Sequence, residues 1–248
     1  MKRLAYLVLL FAFSNTVEGS ETPPSSTVDG VIARYVEARG GIDRWKRLKN
    51  LESKGTYAAF SQQSPFTIIR ARGNLFRLDF LLLGSPAVRA RDAEGPWMLN
   101  GLLKPEAERV TEEPYQSQLE RESAFEPLLF EFASKGISVE LVGPGEVDGV
   151  ETIDLAVLLP SGATEVWHLD AETYLEVAID SEVVDLTQFQ EPVAMRAFFD
   201  DFRPVEGLML PHLVELEFGA RLESMTVEQV VVDSELDMTR FQFVPSAQ

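Results

Sequence analysis

TIIRARGNLFRLDF, residues 67–80, is the stretch of sequence that decides the fold. Apolar and polar side chains alternate on both sides of a central Gly73-Asn74 pair. The apolar face that follows this pair consists of Phe76, Leu78 and Phe80. A period of two residues is typical of a strand, and a Gly-Asn pair favours the left-handed backbone of a tight turn. The stretch therefore predicts two antiparallel strands joined by a hairpin turn.

The same alternation continues along most of the chain in both directions. It begins at Leu51, and the strands that it predicts outside the hairpin span residues 87–92, 97–100, 137–142, 151–159, 164–169, 174–181, 193–202, 210–218 and 225–232. Turn signals such as Gly143-Pro144-Gly145 separate the strands. Because no linker or change of composition divides the chain, we expect a single α+β domain. It would be built on a strongly curved antiparallel sheet of about ten strands.

Helical periodicity occurs in two places. Residues 28–36 carry apolar side chains at helical spacing, and residues 42–48 predict a second short helix. In the middle of the chain, residues 115–124 and 128–134 predict two helical pieces separated by Pro127. Amphipathic helices must pack on an apolar surface. They either fill the inside of the curved sheet as core or cover a cavity, and the sequence leaves both alternatives open.

The first residues have the pattern of an export signal. Lys2 and Arg3 precede an apolar run at residues 4–13, which is too short to span a bilayer. We expect cleavage after Gly19, so that residues 1–19 are a signal peptide and residues 20–248 form the domain. No later apolar run approaches the roughly 18 residues of a membrane helix. We therefore expect an exported protein, periplasmic in a Gram-negative cell, that is not an integral membrane protein.

Composition excludes several classes of function. The 248 residues include 40 acidic and 22 basic side chains, for a formal net charge of −18, so we expect no nucleic acid as a partner. A chain without cysteine has no disulfide, thiolate metal site or cysteine nucleophile. The sequence also lacks the motifs of common hydrolases, metalloproteases and phosphate-binding loops. We expect no enzyme activity, no catalytic residue and no cofactor.

The two histidines are the remaining candidates for a metal site. His168 and His212 could be combined with Asp200 or Asp201 as ligands. Both histidines, however, lie near the ends of predicted strands. We interpret them as exposed strand-end side chains and expect no metal site.

One segment of this acidic chain is basic. Residues 65–91 contain a single acidic residue, Asp79, and the arginines Arg70, Arg72, Arg77, Arg89 and Arg91. Strand parity places Arg70 with Arg72, and Arg89 with Arg91, on one face of the sheet. These side chains either keep an outer face soluble or form a docking patch for an envelope protein partner. The candidates for such a patch are Arg70, Arg89 and Arg91.

Large apolar side chains are concentrated in the hairpin and in the mid-chain helical segment. The candidates for the wall of an apolar, ligand-binding cavity are Phe76, Leu78, Phe80, Trp97, Leu129 and Phe132. The mouths of half-open barrels are common ligand sites, but the same residues could equally pack against one another as core.

Several short stretches resemble the LolA/LolB-like family of periplasmic lipoprotein-sorting carriers. RGNLF (residues 72–76) is similar to the family's R-P-x-x-F, with glycine in place of proline. DAEGPWMLN (residues 92–100) is similar to D-G-x-x-x-W-x-x-N, with Ala93 in place of glycine. DMTRFQFVP (residues 237–245) is similar to the closing D-x-x-x-F-x-F-x-P. The opening YVEARGG (residues 35–41) resembles relatives known only as sorting-protein-like.

The resemblance implies an unclosed β-barrel covered by helices, with a cavity for the acyl chains of a lipoprotein or lipid delivered toward the outer membrane. In that family an arginine before the turn contacts the covering helices and keeps the cavity closed, and Arg72 would be this gate. We expect a monomer. The strands between residues 137 and 218 are additional to the usual carrier and could build a different mouth. A second hypothesis is a non-transporting sensor or interaction module of the same fold.

Overall fold

The computed structural model describes residues 27–184 and 192–244. The predicted signal peptide and Pro245 of the closing motif lie outside these residues. The α-helices are α1 (Val28–Ala38), α2 (Ile42–Arg47) and α3 (Tyr115–Glu122), and 3-10 turns span Phe132–Lys135 and Met238–Phe241. The strands are β1 (Asn50–Ala59), β2 (Gln62–Ala71), β3 (Leu75–Leu82), β4 (Ser85–Asp92), β5 (Gly95–Asn100), β6 (Glu108–Arg109), β7 (Ser138–Val147), β8 (Val150–Leu158), β9 (Thr164–Asp170), β10 (Glu176–Val183), β11 (Val193–Val205), β12 (Leu208–Phe218) and β13 (Arg221–Val232).

These strands form one antiparallel sheet with the order β6-β5-β4-β3-β2-β1-β13-β12-β11-β10-β9-β8-β7. Neighbours in the sheet are neighbours in sequence, except at the centre, where β1 pairs with β13. Over residues 27–184 and 192–244, β6 and β7 are the two edges, so the sheet is not closed on itself there. The predicted fold class, an unclosed antiparallel barrel with helices in an α+β chain, is confirmed, and these residues form 13 strands rather than about ten. Within the described residues, no helix is long and apolar enough to cross a bilayer.

The hairpin over residues 67–80 forms as the alternation predicts. Ala71 pairs with Leu75, and Arg70 pairs with Phe76. Between the strands, Gly73 has a φ of 84° and Asn74 a φ of 56°. Glycine and asparagine adopt this left-handed backbone more readily than other residues, so the turn fixes the register of the two strands.

The first helix ends at Ala38, and a close contact explains the glycine at position 40. Gly40 has a φ of 103°. A Cβ atom at this position would lie 2.2 Å from the carbonyl oxygen of Gly207 in the β11–β12 turn. A side chain at position 40 would therefore push α1 away from the sheet.

Two local predictions were wrong. Gly143-Pro144-Gly145 is not a turn but lies within β7, where a bulge shifts the register between Leu141 and Gly143. Proline is tolerated there because β7 is an edge strand, whose free side needs no amide donor. Residues 128–134 do not form a helix, and only the 3-10 turn at Phe132–Lys135 remains. Packing overrides helical periodicity in this segment, since the adjacent Leu129 and Phe130 are both fully buried.

The helices and the sheet share one main core on the inner face of the sheet, the face that Phe76, Leu78 and Phe80 share. Residues of α1 and α2, with Tyr35 and Trp45 among them, pack against Phe130 and against β8–β10 and β12. A separate apolar cluster covers the inner face of β1–β4. The two alternatives for the helices are therefore both found: α1 and α2 fill the half of the barrel next to β7–β12 as core, and α3 covers a cavity over β1–β4, β12 and β13.

The C-terminal segment closes the outer face of β3–β5. Phe241 packs on Ile69 and Ala71, and Phe243 packs near Val88 and Ala90. Asp92 anchors this segment through hydrogen bonds from the Phe243 amide at 3.0 Å and from Arg109 at 2.6 and 2.7 Å. Burial raises the pKa of Asp92, but the bonds from Arg109 and the backbone amides outweigh it and lower the pKa to about 2.

Candidate functional site

The candidate site is a cavity of about 860 Å³ between the inner face of the sheet and α3. Volumes of this size are typical of sites for small ligands. Its apolar wall comes from neighbouring strands: Phe76, Leu78, Phe80 and Leu82 on β3, Ile68 on β2, Leu51 and Tyr57 on β1, Met225 and Val227 on β13, and Val214 and Leu216 on β12. Side chains on one face of antiparallel strands stack side by side, so the residues form a continuous apolar surface.

The opposite side of the cavity is formed by α3 and residues 123–127, which we call the lid. Its inner surface is polar, with Ser117, Gln118, Arg121 and Glu122 lining the cavity. Leu119 is the fully buried residue of α3 and packs with Met98 and Val110 near β5. The lid is therefore attached by apolar packing at one side of the sheet and faces the cavity with polar groups.

Charged side chains of the sheet hold the lid from β2 and β4. Arg70 donates through Nη1 to the carbonyl oxygen of Glu122 at the end of α3, and to that of Ala124 at 3.2 Å. A cation at the C-terminal end of a helix is favourable, because the free carbonyls there carry partial negative charge. Arg89 on β4 forms an ion pair with the Glu122 carboxylate at 3.2 Å.

A further ion pair joins the lid to the opposite side of the sheet. Arg121 on α3 donates to both carboxylate oxygens of Glu165 on β9, at 2.6 and 2.9 Å. Glu165 is buried, and its Oε2 also accepts a bond from Trp167 Nε1 at 2.7 Å. Paired, bidentate geometry of this kind is what a buried carboxylate requires. The lid thus spans the cavity from β2–β4 to β9.

The end of the cavity under α1 contains another buried ion pair. Arg39 donates to Glu176 Oε1 at 2.5 Å, and the Tyr35 hydroxyl donates to the same oxygen at 2.7 Å. Burial raises the pKa of the Tyr35 hydroxyl, and the neighbouring Glu176 charge raises it further. Tyr35 therefore stays protonated and acts as a hydrogen-bond donor, which fixes α1 against β10.

Arg72, the predicted gate, contacts both α2 and the lid. Its Nη2 donates to the carbonyl oxygen of Trp45 at 2.5 Å, and its Nη1 pairs with Glu126 of the lid at 3.1 Å. The guanidinium also lies over the Phe125 ring, with 5.3 Å between Cζ and the ring centroid. These contacts are of the kind that the gate role requires, and the role itself stays a prediction.

The predicted cavity residues divide into two groups. Phe76, Leu78 and Phe80 line the cavity. Leu129 and Phe132 belong instead to the main core with α1 and α2, so their placement in the cavity wall was wrong.

Trp97 was also placed on the wrong face of the sheet. It pairs with Ala90, which pairs with Arg77, so these three residues share the outer face. There Trp97 Nε1 donates to the carbonyl oxygen of Phe241 at 2.9 Å, and its ring packs near Phe243. Trp97 therefore holds the C-terminal segment against the outer face of the sheet and does not belong to the cavity wall.

The predicted arginine docking patch is not an exposed surface. Arg70 and Arg89 line the cavity and contact the lid. Arg91 is half-buried and donates to the carbonyl oxygens of Gly73 and Asn74 at 3.2 and 3.4 Å. The prediction failed because Arg70 lies directly opposite Phe76 in the hairpin, so it belongs to the apolar inner face.

The histidines are buried rather than exposed, so that interpretation was wrong. His168 lies between Asp154 at 2.8 Å and Asp180 at 3.3 Å, on the outer face of the sheet. His212 contacts the carbonyl oxygen of Leu210 at 3.0 Å. In the described part of the chain, no group of three or more histidine, aspartate or glutamate side chains is arranged to hold a metal ion.

Nothing in the sequence indicated the glutamates that pair with the arginines of the cavity, Arg89, Arg121 and Arg39. Glu122, Glu165 and Glu176 come from three separate elements and meet only in the folded chain. In so acidic a sequence, a single glutamate gives no indication of its role. Arg70 and Arg89 did give an indication, since an arginine on the apolar face of a strand requires a buried partner.

Neither a protein-family model nor a curated protein matches the sequence significantly. Solved structures do match the fold over most of its length. A DUF1329 family protein from Desulfovibrio piger is 14% identical, with 87% of this chain and 97% of that chain covered and a TM-score of 0.56. A protein described as an outer membrane lipoprotein-sorting domain, from Vibrio parahaemolyticus, is 10% identical, with 88% and 97% covered and a TM-score of 0.55.

A third structure, a LolA superfamily protein from Nitrosomonas europaea, is 9% identical, with 87% of this chain and 97% of that chain covered and a TM-score of 0.53. At these identities the likeness establishes the fold alone. The chain has the LolA-like fold, and the resemblance seen in its motifs is confirmed at that level. The function of the cavity has to be inferred from the residues that line it.

Proposed function

We propose that this protein is a periplasmic carrier that binds the acyl chains of a lipoprotein or lipid in its cavity and delivers them toward the outer membrane. The observation that carries this proposal is the cavity of about 860 Å³, whose sheet side is a continuous apolar wall of β1–β3, β12 and β13. The LolA-like fold supports it, since one structure of the same fold is described as a lipoprotein-sorting domain. The activity is binding and release, without covalent chemistry.

The energy of binding would come from removing methylene groups from water. Each buried methylene contributes about 0.8 kcal/mol, so roughly ten methylenes contribute about 8 kcal/mol. Association itself costs at least about 4 kcal/mol. One chain would therefore bind with moderate affinity and could still be released. Transfer in one direction then requires an acceptor that binds the cargo more tightly, because a carrier exploits only differences in affinity.

The interaction-module hypothesis depended on an exposed arginine patch, which the described residues do not form. Its docking patch required exposed arginines, whereas Arg70 and Arg89 lie inside the cavity. In the carrier hypothesis, Arg70 and Arg89 hold the lid over the cavity. We therefore propose the carrier as the function of this chain.

The test is to identify what the protein carries. The full chain is exported into the periplasm of an expression host, purified without detergent and extracted with organic solvent for mass spectrometry. We expect stoichiometric acylated molecules in the extract, and none from an unrelated periplasmic protein purified in the same way. A clean extract, together with failure of the folded protein to take up a fluorescent acyl probe from vesicles, would contradict the proposal.

A further inference from the structure

The cavity has a basic pole that an uncharged acyl chain does not need. Arg70 and Arg89 project from β2 and β4 into the cavity, on the inner face shared with Phe76 and Leu78. Arg70 Cζ lies 4.7 Å from the Phe76 ring centroid, so one cation rests directly on the apolar wall. Burying a guanidinium is costly, and a purely apolar ligand would gain nothing from it.

Arg70 and Arg89 both contact Glu122 of the lid, but through different atoms. Arg89 pairs with Glu122 Oε1 at 3.2 Å, whereas Arg70 donates to the carbonyl oxygens of Glu122 and Ala124. Within the described residues, Arg89 Nε is buried without a hydrogen-bond partner. The Glu122 carboxylate is itself held loosely, since its other bond comes from Gln118 at 3.2 Å. By comparison, Arg121 makes two bonds to Glu165, at 2.6 and 2.9 Å.

Local electrostatics differ between the two arginines. Burial lowers the pKa of Arg89, but Glu122, Tyr115, Tyr57 and Glu223 outweigh it and raise the pKa overall. Burial lowers the pKa of Arg70 to about 10, Glu122 opposes the shift, and the neighbouring Arg121 and Arg89 lower it further. Arg70 remains charged at neutral pH. Because Glu122 belongs to the lid, any movement of the lid away from the sheet removes the carboxylate that pairs with Arg89.

We infer that Arg70 and Arg89 form a headgroup site for an anionic amphiphile, and that the Glu122 carboxylate occupies this site when the lid is closed. The ligand would carry a carboxylate or phosphate on an acyl chain, with the anion between the two guanidinium groups. Its chain would follow Phe80 and Leu82 along β3 and Met225 and Val227 on β13. Binding of the headgroup displaces Glu122, so it is coupled to opening of the lid. The inference rests on the proposed function, since it specifies the ligand of that same cavity.

The experiment compares ligands that have the same chain and different headgroups. Dissociation constants of the mature protein are measured at pH 8 by displacement of a fluorescent acyl probe, for hexadecanoate, monohexadecyl phosphate and the uncharged hexadecanol. We expect at least one of the two anions to bind at least tenfold more tightly than the alcohol. The ratio between carboxylate and phosphate then identifies the source, a free fatty acid or a phospholipid-type headgroup. Acetate and inorganic phosphate, which lack the chain, should not displace the probe.

Two substitutions test the roles of the residues. Arg89→Gln should weaken binding of the anions about tenfold more than it changes binding of hexadecanol. Glu122→Gln should strengthen binding of the anions, because it removes the competing carboxylate. The matched controls are Arg47→Gln and Glu120→Gln, which change exposed residues of α2 and α3.

The outcomes separate the two proposals. Equal affinity of wild-type protein for the alcohol and both anions would overturn the headgroup site and leave the carrier function standing. Failure of all three chains to bind would overturn both. Because these comparisons use the unaltered protein, they hold even if Glu122→Gln fails to fold. Weaker binding of anions to a folded Glu122→Gln variant would also contradict the inference.

Discussion

We expect the replacement of Arg72 by leucine to make the lid open more readily, in addition to weakening the attachment of α2. Arg72 makes one contact outside the lid, to the Trp45 carbonyl of α2, and two within it, to Glu126 and to the Phe125 ring. Leucine keeps an apolar side chain over Phe125 and removes the charge and the donors. The variant therefore tests whether the polar contacts of Arg72 hold the lid closed.

The magnitude follows from the kind and exposure of each contact. A charged donor on a carbonyl contributes about 1.5–3 kcal/mol, and this part belongs to α2. The ion pair is partly exposed, with 43% of the Arg72 side chain and 17% of the Glu126 side chain accessible, so it contributes no more than about 1 kcal/mol. The cation–π contact adds about 0.5 kcal/mol. The lid thus loses about 1.4 kcal/mol, a factor of roughly ten in its opening equilibrium.

Two measurements distinguish the effect on the lid from the effect on α2. Hydrogen exchange of the amides in α3 (Tyr115–Glu122) reports opening of the lid and should accelerate about tenfold. Release of a bound fluorescent acyl probe should accelerate with it, while denaturant unfolding should show a loss of about 3 kcal/mol overall. Arg47→Leu, which changes an exposed residue of α2, is the matched control and should alter neither lid exchange nor release. If stability falls while lid exchange and release stay at wild-type rates, Arg72 supports α2 only and is not a gate.

Three further outcomes are expected. Phe80→Glu would place a carboxylate in the apolar cavity wall and should abolish binding of an acyl probe, whereas Leu83→Glu, at a tip residue that is 45% exposed, should leave binding intact; retained binding by Phe80→Glu would show that the ligand lies elsewhere. Trp97→Phe should lower the free energy of unfolding by about 1 kcal/mol through loss of its bond to Phe241, without changing ligand affinity, and a change in affinity would restore Trp97 to the site. Because the pKa of Asp92 is lowered to about 2 in the folded protein, its ion pair stabilises the fold above pH 4 by about 2 kcal/mol, and this stability is lost as the pH falls from about 4 to 2. The difference in unfolding free energy between wild type and Asp92→Asn should therefore shrink over that range, and a difference independent of pH would refute the assignment.

The directions of two side chains, Arg70 and Trp97, were predictable from the sequence and were assigned wrongly. In the 67–80 hairpin, the turn alone sets Arg70 opposite Phe76, so the inward direction of Arg70 was available from the sequence and was overlooked. For Trp97, the predicted strands 87–92 and 97–100 would set Trp97 opposite Asp92, whereas in the structure Gly95 pairs with Asp92 and Trp97 pairs with Ala90. This shift of two residues leaves Trp97 on the same face of the sheet, because only a shift by an odd number of residues changes the face. The outward direction of Trp97 was therefore also available from the predicted strands.

The sequence by itself determined the strands, the turns and the first two helices, because a period of two or 3.6 residues and a glycine with positive φ act over a few neighbouring positions. It also contained the motifs that resemble the LolA-like fold. Only the tertiary structure decided that β1 pairs with β13, that Leu129 belongs to the core, and that Glu122 and Glu165 meet Arg89 and Arg121. These contacts join residues 33 to about 180 positions apart, and their cost in chain entropy is met only when the whole sheet forms. No local sequence pattern indicates these long-range contacts, and they form the cavity and its basic pole.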